Sequence, residues 1–296
     1  MANDSNRNNT LNKLRQQLEQ WEREGYDVSE LKSKWAVESR SFASDITEKL
    51  PSPPLDTSED TIEELPPLPP PYTSNERREL DDILNKSNYT PEKLIEFFEK
   101  DHRLELLSSS GVWEKYTIKQ HTLMVIRQFD KYFSDTQLPS EMSHNFFRVI
   151  LALHDLSKPE AIAMGGKHLK FEYAEKKMKS ILSKLHYTTQ EISMAAALVS
   201  EDPIGPYLAK RMSIKTSAGI IYMMARQAML KVDALFSLIC IFYMVDAGSY
   251  TQDAGGKKSL DYLFIFNTKR KDMNFSKDYE KMMGDLWNYV KGLDSK

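Results

Sequence analysis

The sequence predicts an all-α domain from residue 75 to residue 296. Apolar residues recur at helical spacing in one segment after another. Helix-start signals stand ahead of several of them, as at Thr90-Pro91-Glu92 and Thr188-Thr189-Gln190-Glu191. No convincing period-2 alternation and no pair of hairpin-turn residues is present.

Composition bounds the rest. At 296 residues, with 41% apolar and 10% aromatic content, the chain has the material for a sizeable core and is not disordered as a whole. Forty basic against 43 acidic residues leave a net charge of −3, which disfavours nucleic acid or an anionic membrane as partner. The one cysteine, Cys240, lies in an apolar run; it excludes an internal disulfide and fits a reducing compartment. The N-terminus lacks a signal-peptide apolar region. The longest apolar run, Ala234 to Val245, falls far short of the ~20 residues of a membrane helix. The expectation is a soluble, cytoplasmic protein.

In chain order, residues 1–49 read as a helical hairpin. Leu11, Leu14, Leu18 and Trp21 repeat at helical spacing, Gly25-Tyr26-Asp27 breaks the run, and Ser29 opens a second helix with Leu31 and Trp35. So short a segment cannot bury both tryptophans by itself, so residues 10–49 pack on the main domain, on a protein partner or on a second copy. Residues 50–74 hold eight of the 13 prolines and an acidic stretch, the composition of a semi-extended linker. Within it, Pro69-Pro70-Pro71-Tyr72 has the form of a Pro-rich recognition motif, with a stiff spacer as the more ordinary reading.

The helical domain follows. Pro91 opens a helix with Leu94, Ile95, Phe97 and Phe98, and residues 118–133 carry Ile118, Leu123, Val125, Ile126, Phe129 and Phe133. From about Ser140 comes the central helix, in which only Arg148 is polar between Phe146 and Leu153; such a helix is buried on almost every side. Further helices are predicted over Phe171–Leu185, from the Thr188 capping box, and over Ser217–Lys231, Ala234–Val245 and Lys277–Leu293.

The central helix ends in His154-Asp155-Leu156-Ser157-Lys158-Pro159, the proline disfavouring helix at the residue before it. An imidazole and a carboxylate at the mouth of a buried helix are costly unless compensated. Helix-end carbonyls also favour a cation, and a bound metal ion is the simplest explanation.

His-Asp-Leu-Ser-Lys-Pro resembles the central motif of the HD-domain metal-dependent phosphohydrolases, an all-helical superfamily. Glu114 to Thr122 and Tyr243 to Tyr250 look like that family's flanking segments, and the resemblance spans roughly residues 100 to 260. It implies an HD-like helical bundle. It also implies a ligand set of His121, 33 residues before His154, with the His154-Asp155 pair and Asp246, 91 after Asp155. Imidazole and carboxylate suit one divalent ion such as Mn, Mg, Fe, Co or Ni. Lys158 stands where a family lysine often neutralises charge on the phosphate, although lysines near helix ends are ordinary.

Lys167 and Lys170 lie close enough in sequence to contact an anionic substrate, although most of the basic face they share with Lys176, Lys177 and Lys179 is expected to be solvated. Gly165 to Ala174 is similar to a stretch that carries extra histidines in two-metal relatives. Phe171 replaces a histidine there, which argues against a full second site through His168 or His186. His102 and His144 read as surface or helix residues. Glu201-Asp202-Pro203-Ile204-Gly205-Pro206 forms a polar loop that either lines a pocket, with a carboxylate to orient water, or caps a helix. Trp113 and Tyr250 can stack on a base, with core packing as the ordinary alternative.

The resemblance implies hydrolysis of a small phosphorylated substrate, a phosphomonoester or phosphodiester with nucleotides among the candidates. The alternative is a catalytically silent module that binds a nucleotide or partner, which the hairpin and Pro-rich tether suggest. A di-iron oxygenase is a third reading.

Overall fold

The computed structural model describes residues 74–100, 116–163, 170–256 and 259–294. The predicted hairpin over 1–49, and the predicted linker except Ser74, lie outside these residues. The described chain is mostly helical. In order, α1 is Ser74–Asn85, α2 Pro91–Glu99, α3 Ile118–Tyr132, α4 His144–Leu153, α5 Lys158–Ala163 and α6 Lys170–Lys184. Then come α7 Thr189–Ser200, α8 Ile204–Leu208, α9 Ile214–Ala228, α10 Val232–Gly248 and α11 Lys277–Asp294. Among the described residues no single helix is long and apolar enough to cross a membrane.

The core forms where the apolar stripes meet. α4 buries Phe146, Phe147, Val149, Ile150 and Leu151. Its Phe147 ring packs 4.9 Å from Phe129 of α3. α10 is apolar nearly all round and correspondingly buried, packing against α3, α9 and α11. α9 and α10 meet at a 108° bend, beside which Met229 takes the left-handed conformation (φ 55°) that closes α9.

The one polar residue inside the greasy run of α4 has a partner. Arg148 Nε donates to Asp130 Oδ1 of α3 at 2.7 Å, and its guanidinium lies over the Tyr89 ring. Burial pushes the Asp130 carboxyl up, and Arg148 offsets only part of that. Arg148→Met is therefore expected to cost roughly 2–3 kcal/mol at neutral pH, below the value for a fully buried pair because both side chains keep some water. Asp130 already has a raised folded value and would be raised further. The deficit should thus be full above that value and shrink as pH falls through it. Urea melts at two pH values measure this; equal deficits would refute it.

Three local expectations are corrected. The central helix starts at His144 rather than near Ser140, because Ser143 caps it, its Oγ accepting from Phe146 N at 3.1 Å. Thr90 precedes α2 but makes no side-chain cap bond. A short antiparallel hairpin exists where none was expected: β1, Phe264–Asn267, pairs with β2, Asp272–Phe275, with Phe264 opposite Phe275 and Asn267 opposite Asp272. Its turn has no glycine. Lys271 itself takes φ 51°, and Asn267 Oδ1 accepts from the backbone N–H groups of Lys269 and Arg270. Phe264 and Phe275 pack against Tyr243 of α10, so the hairpin buttresses that helix.

Candidate metal centre

Three helix ends carry the predicted ligands. At the start of α3 a capping box fixes the first turn: Gln120 N donates to Thr117 Oγ1 at 3.1 Å and Thr117 N to Gln120 Oε1 at 2.8 Å. His121 follows directly and is fully buried. α4 ends at Leu153, His154 is its C-cap, and Asp155 lies in the turn that leads to α5. Pro159 then sits in the first turn of α5, where its missing N–H costs nothing. Asp246 is in the last turn of α10, its side chain still 37% accessible.

The four side chains converge. His121 Nε2 lies 3.2 Å from Asp155 Oδ2, 3.0 Å from Asp246 Oδ1 and 3.3 Å from His154 Nε2. His154 Nε2 lies 3.4 Å from Asp155 Oδ2 and 3.7 Å from Asp246 Oδ1. Neighbouring donor atoms on an ion with bonds of about 2.1 Å stand about 3.0 Å apart in octahedral and about 3.4 Å apart in tetrahedral geometry. The separations among His121, His154 and Asp155 fall within that range, and Asp246 meets it at His121.

The second nitrogen of each imidazole decides where the protons sit. His154 Nδ1 is 2.6 Å from the Leu151 carbonyl, which can only accept, so Nδ1 is the donor. Ser249 Oγ spends its proton on the Asp246 carbonyl at 2.6 Å and can accept from His121 Nδ1 at 3.2 Å. In the neutral imidazoles both Nε2 atoms then present bare lone pairs to each other and to two carboxylates. Asp155 Oδ2 is buried and lacks a well-aligned hydrogen-bond donor. The Lys158 ammonium beside Asp155 Oδ2 offsets part of the repulsion in this array, and a further positive charge would relieve the rest.

The electrostatics agree. Burial alone would raise Asp155, but His154, Lys158 and His121 outweigh it and hold the carboxyl well below its usual range. Burial would likewise raise Asp246, and the bonds with His121 and His154 bring it down. Burial would lower His121, and its bonds to Asp155 and Asp246 raise it instead, so without an ion the same field draws a proton. The buried group of His121, His154 and Asp155 can hold a metal ion.

Lys158 reaches the same spot, its Nζ 2.5 Å from Asp155 Oδ2. Lys167 and His168 lie outside the described residues, as do Trp113 and His102, and Lys170 is the first residue of α6. His186 stands apart, exposed in a left-handed turn after α6, and His144 opens α4 with Nε2 against the Phe133 carbonyl. Tyr250 stacks on His121 with centroids 4.9 Å apart. Its ring thus packs on a ligand candidate.

Ser249 was not singled out by the sequence. It lies three residues beyond Asp246, the helical spacing that puts both on one face, and this is the signal that could have found it. One hydroxyl orients His121 and ties down the backbone of Asp246. Ser249→Ala is expected to weaken Mn binding by about 10–100-fold and, by leaving the buried His121 Nδ1–H without its acceptor, to cost about 1–3 kcal/mol of stability. Chelator competition measures the affinity; an unaltered value would deny the hydroxyl that role.

The cluster opens into a cleft of about 640 Å³, counted out to its solvent mouth. His154, Asp155, Lys158 and Asp246 line it, Phe171, Ile239 and Phe242 supply apolar wall, and Glu201 and Asp202 add polar wall. The predicted polar loop therefore does line a pocket. Asp202 also caps α8, Gly205 N donating to its Oδ1 at 2.8 Å. Burial and the neighbouring Asp202 push the Glu201 carboxyl up. Comparison with protein-family models, curated proteins and solved structures gave no match.

Proposed function

We propose that the chain is an HD-like metal-dependent phosphohydrolase acting on a phosphomonoester or phosphodiester, nucleotides included. One observation carries the reading. His154, Asp155 and Asp246, three of the four side chains that the family resemblance names, line one cleft, and the fourth, His121, is buried with its Nε2 3.0–3.3 Å from all three. His121, His154, Asp155 and Asp246 would hold the ion, leaving positions for water and a substrate oxygen on an octahedral metal. Such an ion supplies Lewis acidity to a phosphoryl oxygen and lowers the pKa of water.

The chain's own groups do the rest. Lys158 lines the cleft and holds an ammonium against Asp155, placed to offset negative charge on an entering phosphoryl group. The Leu151 carbonyl and Ser249 keep both imidazoles turned with Nε2 toward the site. Phe171, Ile239 and Phe242 restrict water in the cleft. On this reading residues 1–49 and 50–74 take no part in the chemistry. Deleting residues 1 to 72 should spare hydrolysis, and a phosphate-release assay checks it.

The test of the reading itself is metal content with turnover. Mass spectrometry should find about one divalent ion per chain, and release of phosphate from nucleotides and simple esters should stop with EDTA and return with Mn. Release that ignores EDTA, or none with any metal, would refute it.

A further inference from the structure

The segment that leaves α10 is fastened to α3 at two places. Ser249 and Tyr250 meet His121, and farther on Asp253 accepts from Gln128 Nε2 at 3.2 Å and from Lys131 Nζ at 2.9 Å. The loop then folds back tightly, Gly256 N donating to the Thr251 carbonyl at 2.8 Å. A Cβ on Gly256 would stand 2.8 Å from that oxygen and from the Tyr250 carbonyl carbon, so glycine is needed for this closure. The last torsion of a histidine is broad and roughly two-fold, so contacts must set the plane of a ligand imidazole. The Ser249 hydroxyl at Nδ1 selects one of the two ring flips of His121 and leaves its tilt open. The Tyr250 ring lies against the imidazole face, centroids 4.9 Å apart and planes 18° from parallel, and Tyr116 packs on Tyr250 at 6.4 Å. The Tyr250 hydroxyl is 3.5 Å from His121 Nε2. With the rings nearly parallel it stands over the face of that nitrogen, not along the in-plane lone pair.

We infer that Tyr250 is a positioning residue of the metal centre: its ring fixes the tilt of the His121 imidazole and so aims Nε2 at Asp155, Asp246 and His154. The inference rests on the metal-holding part of the reading above and is independent of hydrolysis. α10 thereby supplies one ligand, Asp246, and sets the aim of another on α3 through the two residues that follow the helix. An aliphatic side chain in place of the ring would leave Nδ1 bonded and the plane of the imidazole loose.

The test is Mn affinity by chelator competition on the full chain, in Tyr250→Phe and Tyr250→Leu. Phenylalanine keeps the flat face and should hold Mn within about threefold of wild type. Leucine has no flat face and should bind about 10-fold or more weakly, the scale for groups that orient a ligand. Visible absorption of the Co(II)-loaded proteins supplies a readout that lost stability alone would not move. Its bands follow coordination geometry, so they should shift in Tyr250→Leu and stay in Tyr250→Phe. Gly256→Ala, which displaces the Tyr250 backbone and leaves its side chain intact, should shift the same bands and decides the matter if Tyr250→Leu does not fold. Equal affinities in all the proteins, a loss in Tyr250→Phe as large as in Tyr250→Leu, or a loss with unmoved Co(II) bands overturns the inference. Wild type that binds no Mn overturns the inference and the metal centre together. The expected pattern without phosphate release from any ester upholds the role of Tyr250 and overturns the hydrolase reading alone.

Discussion

Asp155→Ala should strip the protein of its metal and take phosphate release to background. The carboxylate supplies a buried anionic donor 3.2 Å from His121 Nε2 and 3.4 Å from His154 Nε2. Loss of groups that merely orient ligands costs 10–100-fold in affinity, so loss of a ligand should cost at least about 100-fold. Removing Asp155 also takes away the carboxylate that faces the Lys158 ammonium at 2.5 Å, leaving a positive charge for an incoming cation to meet. That adds repulsion to a lost bond. Asp155→Asn separates charge from shape: it keeps the side-chain outline and should fail to hold metal nearly as completely. The measurements are metal content after dialysis and phosphate release in excess Mn. Wild-type metal content and release in Asp155→Ala would remove the centre from this place in the molecule.

Phe147→Ala should be among the most destabilising single substitutions outside the site. The ring is wholly buried and packs on Phe129, and truncation of such a phenylalanine costs about 3–5 kcal/mol. For a domain of this size that lowers the melting temperature by roughly 6–20 °C. The damage should extend to the site, because α4 delivers His154 and Asp155 from its C-terminal end and a loosened helix holds them less well. Thermal melts with and without Mn would show it, the metal stabilising the variant less than the wild type. A loss below about 1 kcal/mol would mean that α3 and α4 do not meet in the core.

Periodicity located the helices well because their stability comes from apolar stripes written at helical spacing. The Thr188 box, for instance, closes as its four residues predict, Glu191 accepting from Thr188 N at 2.8 Å. The start of α4 was misplaced because apolar Leu138 and Met142 continue the hydrophobic pattern through a turn that Ser143 ends. The hairpin was invisible because its strands are four residues long and Lys271 fills a left-handed position where glycine is the usual marker. Candidate ligands could be named through the family resemblance, which implies their order along the chain. Ser249 could not, since its value lies in a 3.2 Å approach to a histidine 128 residues away. Glu201 and Asp202 had two readings from sequence, pocket wall and helix cap; the coordinates assign both to Asp202 and only the wall to Glu201.

The spacing of the convergent side chains has a mechanical consequence. His121 and His154 are 33 residues apart, and Asp155 and Asp246 are 91 apart. An ion gripped by all four would act as a rivet through α3, α4 and α10, closing both loops in a chain whose lone cysteine can form no internal cross-link. Loop closure on that scale restricts the unfolded chain by about 4 kcal/mol for either loop taken alone, as much as a disulfide achieves. Chelators should therefore act on this protein as mild denaturants.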